Sequence, residues 1–196
     1  MDRPTTSHVH PRRRRRLTTL LVLSLVSGSV GAGALSLAVF TDSKAVAGNA
    51  FTTGTIVLGA NPASALLTSA NMMPGDTVNG SLVVTNGGTG ALRYAMTSAS
   101  TNTDTKGLMN QLTLTIKTLG ASCAAFDGTS VYTGTLASAL FGDVAQGAQA
   151  GDRTLAAAGS ETLCFRATLP LATANAFQGA TTTTTFTFQA EQTANN

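Results

Sequence analysis

The chain has 196 residues, with 12 Lys plus Arg, nine Asp plus Glu and a formal net charge of +3. Six of the bases (Arg3 and the run 12–16) precede an uncharged apolar stretch at 17–39; from Val39 onward six bases face eight acids, a charge of −2. The basic isoelectric point thus belongs to the front of the chain and gives no ground for nucleic-acid binding by the rest.

A positive run followed by an apolar run is the layout of a secretory signal peptide, whose positive end stays in the cytoplasm. The small-x-small pattern Ser36-Leu37-Ala38 predicts cleavage between Ala38 and Val39, and Ala45-Val46-Ala47 is a second candidate. The apolar stretch also exceeds the roughly 20 residues that span a bilayer, so an uncleaved anchor is the alternative and the one route to membrane attachment. Gly28, Gly31 and Gly33 weaken a helix there. Leu17-Thr18-Thr19 fits a twin-arginine signal poorly. The expected organisation is a signal peptide at 1–38, an extended segment at 39–50 and a β-structured domain at 51–196, secreted to the cell surface or extracellular matrix.

From Val39 onward the chain holds 29 Thr, a β-branched residue suited to pleated, half-buried surfaces. Strand candidates in chain order are 51–58, 78–85, 92–98, 112–117, 131–136, 161–169 and 185–190. The clearest alternations are Leu112, Leu114, Ile116 against Thr113, Thr115, Lys117, and Phe186, Phe188, Ala190 against Thr185, Thr187, Gln189. Pro74-Gly75-Asp76, Asn86-Gly87-Gly88 and Asp127-Gly128 read as turns. Residues 105–111, behind Asp104 as N-cap, predict a short helix. The tract 181–185 is read as the start of the last strand. Short strands separated by turns predict an all-β, two-sheet antiparallel sandwich with one or two short helices in its connections. The ending 193–196 carries no hydrophobic tail or sorting motif, so no C-terminal anchor is expected.

Cys123 and Cys164 are the two cysteines, an even count in an exported chain, and predict a disulfide. The alternative is a pair of metal ligands, but zinc takes three or four ligands, and both histidines, His8 and His10, fall in the predicted signal. Loss of the signal leaves no imidazole for a metal site, a Ser–His–Asp triad or a Cys–His pair, and HExxH is absent from the sequence. The scattered acids suit turns better than paired general acid–base work. No catalytic residue, metal or cofactor is expected.

The segment Ala38-Val39-Phe40-Thr41-Asp42, continued by Asn49-Ala50-Phe51-Thr52-Thr53-Gly54-Thr55, resembles the start of TasA and camelysin-type proteins. Pro74-Gly75-Asp76, Leu169-Pro170, Phe177-Gln178-Gly179 and the closing Phe186-Thr187-Phe188-Gln189-Ala190-Glu191-Gln192 are similar to later landmarks of that family. The resemblance implies a jelly-roll fold, a signal cut by a SipW-like peptidase, and a fibre of the bacterial biofilm matrix built from copies of one chain. It also implies the metallopeptidase label attached to camelysin. The chain departs from the family in being short and in having cysteines. Fibres of the implied kind grow when an N-terminal strand fills a neighbour's open sheet edge, a head-to-tail contact that does not close. Val39, Phe40, Thr41 and Asp42 open the candidate donor, and an N-terminal tail with no partner is the alternative. Three functions follow: a matrix structural protein with itself or other matrix proteins as partner, an exported metallopeptidase, or a monomeric envelope module.

Overall fold

Period-two alternation dictates most of the elements. The computed structural model describes residues 50–194, and residues 51 onward belong to one compact unit. The predicted cleavage site and the donor residues Val39, Phe40, Thr41 and Asp42 lie outside the described residues. Among the described residues nine strands follow one another: β1 (Leu58–Asn61), β2 (Thr77–Asn86), β3 (Leu92–Ser100), β4 (Thr113–Thr118), β5 (Ser130–Thr135), β6 (Leu140–Phe141), β7 (Arg153–Leu155), β8 (Ser160–Thr168) and β9 (Thr184–Gln192). A helical turn, α1 (Leu108–Gln111), and the 3-10 turns Leu136–Ser138 and Asn175–Phe177 lie in the connections between these strands.

All pairings are antiparallel. One sheet has the order β1-β2-β8-β4-β5; in the other, β3 pairs with β9 on one side and with β7 and β6 on the other. This is the expected all-β sandwich. Each sheet buries one face: Leu82 and Val84 of β2, Leu114 and Ile116 of β4 and Leu163 and Phe165 of β8 meet Leu92, Tyr94 and Met96 of β3. Phe186 packs on Phe165 across the gap at 5.4 Å between ring centroids. Tyr94, Phe141 and Phe188 form a second aromatic group at 5.9–6.3 Å, edge-on or tilted as ring quadrupoles prefer.

Two turns carry the expected chemistry. Asp76 donates its N–H to Met73 O at 2.9 Å, with Pro74 second and Gly75 third at φ 96°, the positive φ that a type II turn demands there. At Gly88 the chain passes so close to residue 55 that a Cβ would meet Thr55 O at 2.3 Å.

Two expectations fail. The strand expected at 51–58 pairs only from Leu58, as part of β1. Residues before it are held by loop contacts instead: Thr55 O accepts from Thr89 N and Gly90 N, and Val57 O from Gly87 N. The helix expected at 105–111 shrinks to α1, with Gly107 at its N-cap and no side-chain cap. Thr105 and Gly107 both have left-handed φ, 59° and 73°, which breaks the first turn. Asp104 instead accepts from Lys106 N and from Thr181 N. The tract at 181–185 enters β9 only at Thr184; Thr183 exchanges bonds with Thr101 just before it.

Candidate functional site

Beside a small hollow lined by Arg93, Asp143, Val144, Gln189 and Glu191, the described residues offer sheet edges, buried polar groups and faces as places for chemistry. Among the described residues the edges differ in how well they are blunted. β1 has four residues and runs into Pro62. β5 carries a register break opposite Ile116 and Lys117, and Tyr132 Oη donates to Thr135 O at 2.7 Å, an outward carbonyl capped by the strand's own side chain. β6 and β7 are two and three residues long. Such devices discourage edge pairing.

β9 has none of them. It pairs with β3 over nine consecutive positions without a break. Thr193 N bonds Ala91 O at 3.1 Å and Thr101 N bonds Thr183 O at 2.9 Å, so the odd positions of β9 exchange bonds with β3. By the alternation of antiparallel ladders, the N–H and C=O of Thr184, Phe186, Phe188 and Ala190 therefore point away from the sheet, along its free edge. The side chains at those positions turn inward and are half-buried, while Thr185, Thr187 and Gln189 face solvent.

The N-terminal end of the described chain leaves beside the β2–β3 turn, where Thr55 and Val57 are bonded to residues 87–90. The C-terminal end of β9 lies at the same end of the sandwich, since Thr193 bonds Ala91. Phe51 there is 96% exposed.

Buried polar groups are few and paired. Tyr94 of β3 donates to Glu161 Oε1 of β8 at 2.5 Å. Arg153 of β7 grips the same carboxylate, Nε lying 2.9 and 3.0 Å from its two oxygens and Nη2 touching Oε2. This triad ties the two sheets together across one end of the core. Burial, then the bond to Glu161, push the Tyr94 hydroxyl well above its ordinary 10.0. Asn86, 1% exposed, donates to Gly90 O and Ala156 O and accepts from Gly88 N. On the outer face of the β3–β9 sheet Arg93 Nε approaches Glu191 Oε1 at 3.1 Å without an aligned hydrogen bond.

Each carboxylate from Asp76 to Glu191 is already engaged. Asp76 accepts from Met73 N, Asp127 from Ala121 N, Asp143 from Ala145 N and Asp152 from Asp143 N and Gln149 N. Glu161 holds Arg153, and Glu191 accepts from Gly147 N. Backbone N–H groups hold Asp104 below the usual carboxylate range, Thr181 first and Lys106 second. Among the described residues no three His, Cys, Asp or Glu side chains gather as a metal would require.

Cys123 and Cys164 form a disulfide with their Cα atoms 5.1 Å apart. Cys164 lies on the outer face of β8, between Ser81 and Lys117, yet is only 1% exposed. The bridge presses the loop at 119–129 onto it. In that loop the Phe126 ring lies 4.0 Å from Arg166 Cζ and 5.0 Å from Lys117 Nζ, and Lys117 also donates to Phe126 O at 2.9 Å. The Arg166 stack had no signal in sequence; register places Arg166 beside Lys117, but only the loop's path brings Phe126 over both.

The described residues thus form a two-sheet antiparallel sandwich in which β9 is a long edge with no blunting device among those residues. Residues 16–117, just over half of the chain, match the profile of camelysin metallo-endopeptidases. The chain belongs to this family, that of TasA and camelysin, whose members are extracellular or surface-associated. The match runs through β4; the closing landmarks of the resemblance lie beyond it. No curated protein matches the chain. Among the described residues no helix is long and apolar enough to cross a membrane.

Proposed function

We propose that the protein is a secreted structural component of the extracellular matrix or cell surface, and that it polymerises by strand donation. The signal is cut after Ala38 by a SipW-type peptidase, and residues 39–50 of one copy then add to the β9 edge of the next. The observation that carries this is the outward row of main-chain groups on β9 that have no partner among the described residues. An edge of this kind is a template for an incoming strand. A ten-residue donor spans about 33 Å, close to the length of a nine-residue edge. Main-chain bonds supply affinity, and alternate side chains such as Phe40 and Asp42 set the register.

The test is electron microscopy with size measurement in solution, on secreted protein beginning at Val39. Filaments are expected from that form and none from protein lacking residues 39–48. Thr185→Lys with Thr187→Lys places two charges on exposed positions of the edge strand, and should suppress filaments while leaving the circular dichroism spectrum unchanged. Filaments from the shortened chain rule out donation by this segment; filaments from the lysine variant rule out β9 as acceptor.

A further inference from the structure

The outer face of the β1-β2-β8-β4-β5 sheet has a composition that the assembly reading leaves unused. Register aligns Thr77, Thr168, Thr113 and Thr135 in one row across four strands, and Asn79, Arg166 and Thr115 in the next. All point away from the core, opposite Leu82, Leu114 and Phe165. Spacings are about 4.8 Å between strands and about 6.8 Å between rows. None of these positions is acidic, although the chain from Val39 onward carries a net −2. The bounding carboxylates, Asp76 before β2 and Asp127 in the covering loop, are each bonded to a backbone N–H.

Arg166 is held in place at the centre. Its Nε donates to Asn79 Oδ1 at 2.7 Å and its guanidinium stacks 4.0 Å from the Phe126 ring. Its two Nη groups have no partner among the described residues, nor do the hydroxyls of Thr77, Thr113, Thr115, Thr135 and Thr168. A guanidinium fixed through Nε and one face presents the remaining fork to a carboxylate with little further loss of freedom.

We propose that this face binds an acidic polysaccharide, with Arg166 taking a sugar carboxylate and the surrounding threonines exchanging hydrogen bonds with sugar hydroxyls. An acidic peptide is favoured less, because peptides dock through main-chain bonds at an edge, and a sheet face offers none. Nucleic acid needs a track of cations and open rings for stacking; here there are two cations, Arg166 and Lys117, and the ring on the face, Phe126, is already covered by them.

The test is calorimetric titration of the secreted protein with polygalacturonate, neutral dextran and polyglutamate. Binding to polygalacturonate that weakens with added salt is expected, with none to dextran. Arg166→Gln should lower that affinity at least about tenfold, as loss of a charge-assisted contact implies, while Lys106→Gln, which removes a charge elsewhere, should leave it unchanged. Thr115→Val with Thr168→Val keeps the charge and should also weaken binding. The proposal falls if polygalacturonate does not bind or if Lys106→Gln costs as much as Arg166→Gln. It falls equally if the threonine variant binds like the parent or if polyglutamate binds as tightly.

Discussion

Asn86 shows what one side chain contributes. In sequence it is turn punctuation; in the fold it is buried and stitches the β2–β3 turn to residues 155 and 156 through its amide. Asn86→Ala leaves Gly88 N and the carbonyls of Gly90, Leu155 and Ala156 without this partner, and should lower unfolding free energy by about 2–3 kcal/mol, measured by urea denaturation. Tyr94 gives a pH signature. Its hydroxyl is raised in the folded state, by burial first, relative to 10.0 in the unfolded chain. Above pH 10 the unfolded chain therefore releases a proton that the folded chain keeps. Stability is complete below that pH and falls as pH rises, by up to about 1.4 kcal/mol per unit. Tyr94→Phe should flatten the alkaline slope in pH-dependent denaturation, at the cost of the bond to Glu161. Neither role was legible beforehand, because the partners Glu161 and Arg153 lie 67 and 59 positions away.

At the scale of elements, long strands with one buried face were legible and short or irregular ones were not. β2, β3, β4, β5, β8 and β9 fall where alternation places them, within about two residues. β6 and β7, at two and three residues, are too short to show a period. The 51–58 segment has strand-like composition but meets a turn instead of a partner strand, and its Ile56 and Val57 remain partly exposed. The disulfide was expected from the even count of cysteines, yet not its consequence, that a loop is held over the outer face of β8. Phe126 keeps a left-handed φ of 55° in that loop, which costs about 1–2 kcal/mol in a non-glycine residue. Cys123→Ser with Cys164→Ala should lower stability by up to about 4 kcal/mol, the chain-entropy figure for a loop of this length. Intact-mass analysis of the secreted protein without reductant should find no free thiol; two free thiols refute the bridge.

At the scale of the whole molecule, the family name raises the question of a metal site. The sandwich and its family were legible because junction residues and strand pattern extend along much of the chain; the open edge was not, because edges are defined by which strands lack a neighbour. The family is named for metallo-endopeptidases, and peptide hydrolysis by a metal requires several ligands that converge and remain free to bind it. Here the seven carboxylates from Asp76 to Glu191 hold turns, loops and sheets together, and the cysteines are joined to each other. His8 and His10 precede the predicted cleavage site. Asp143 and Asp152, for instance, accept the bonds from Ala145 N, Asp143 N and Gln149 N that shape the β6–β7 loop. The expected outcome is that secreted protein, purified from a host free of its own proteases, leaves casein intact with or without added zinc. Asp152→Asn should change thermal stability without any change in that null rate. Zinc-dependent cleavage abolished by a chelator, and by the same Asp152→Asn substitution, establishes the peptidase and moves the structural role to second place.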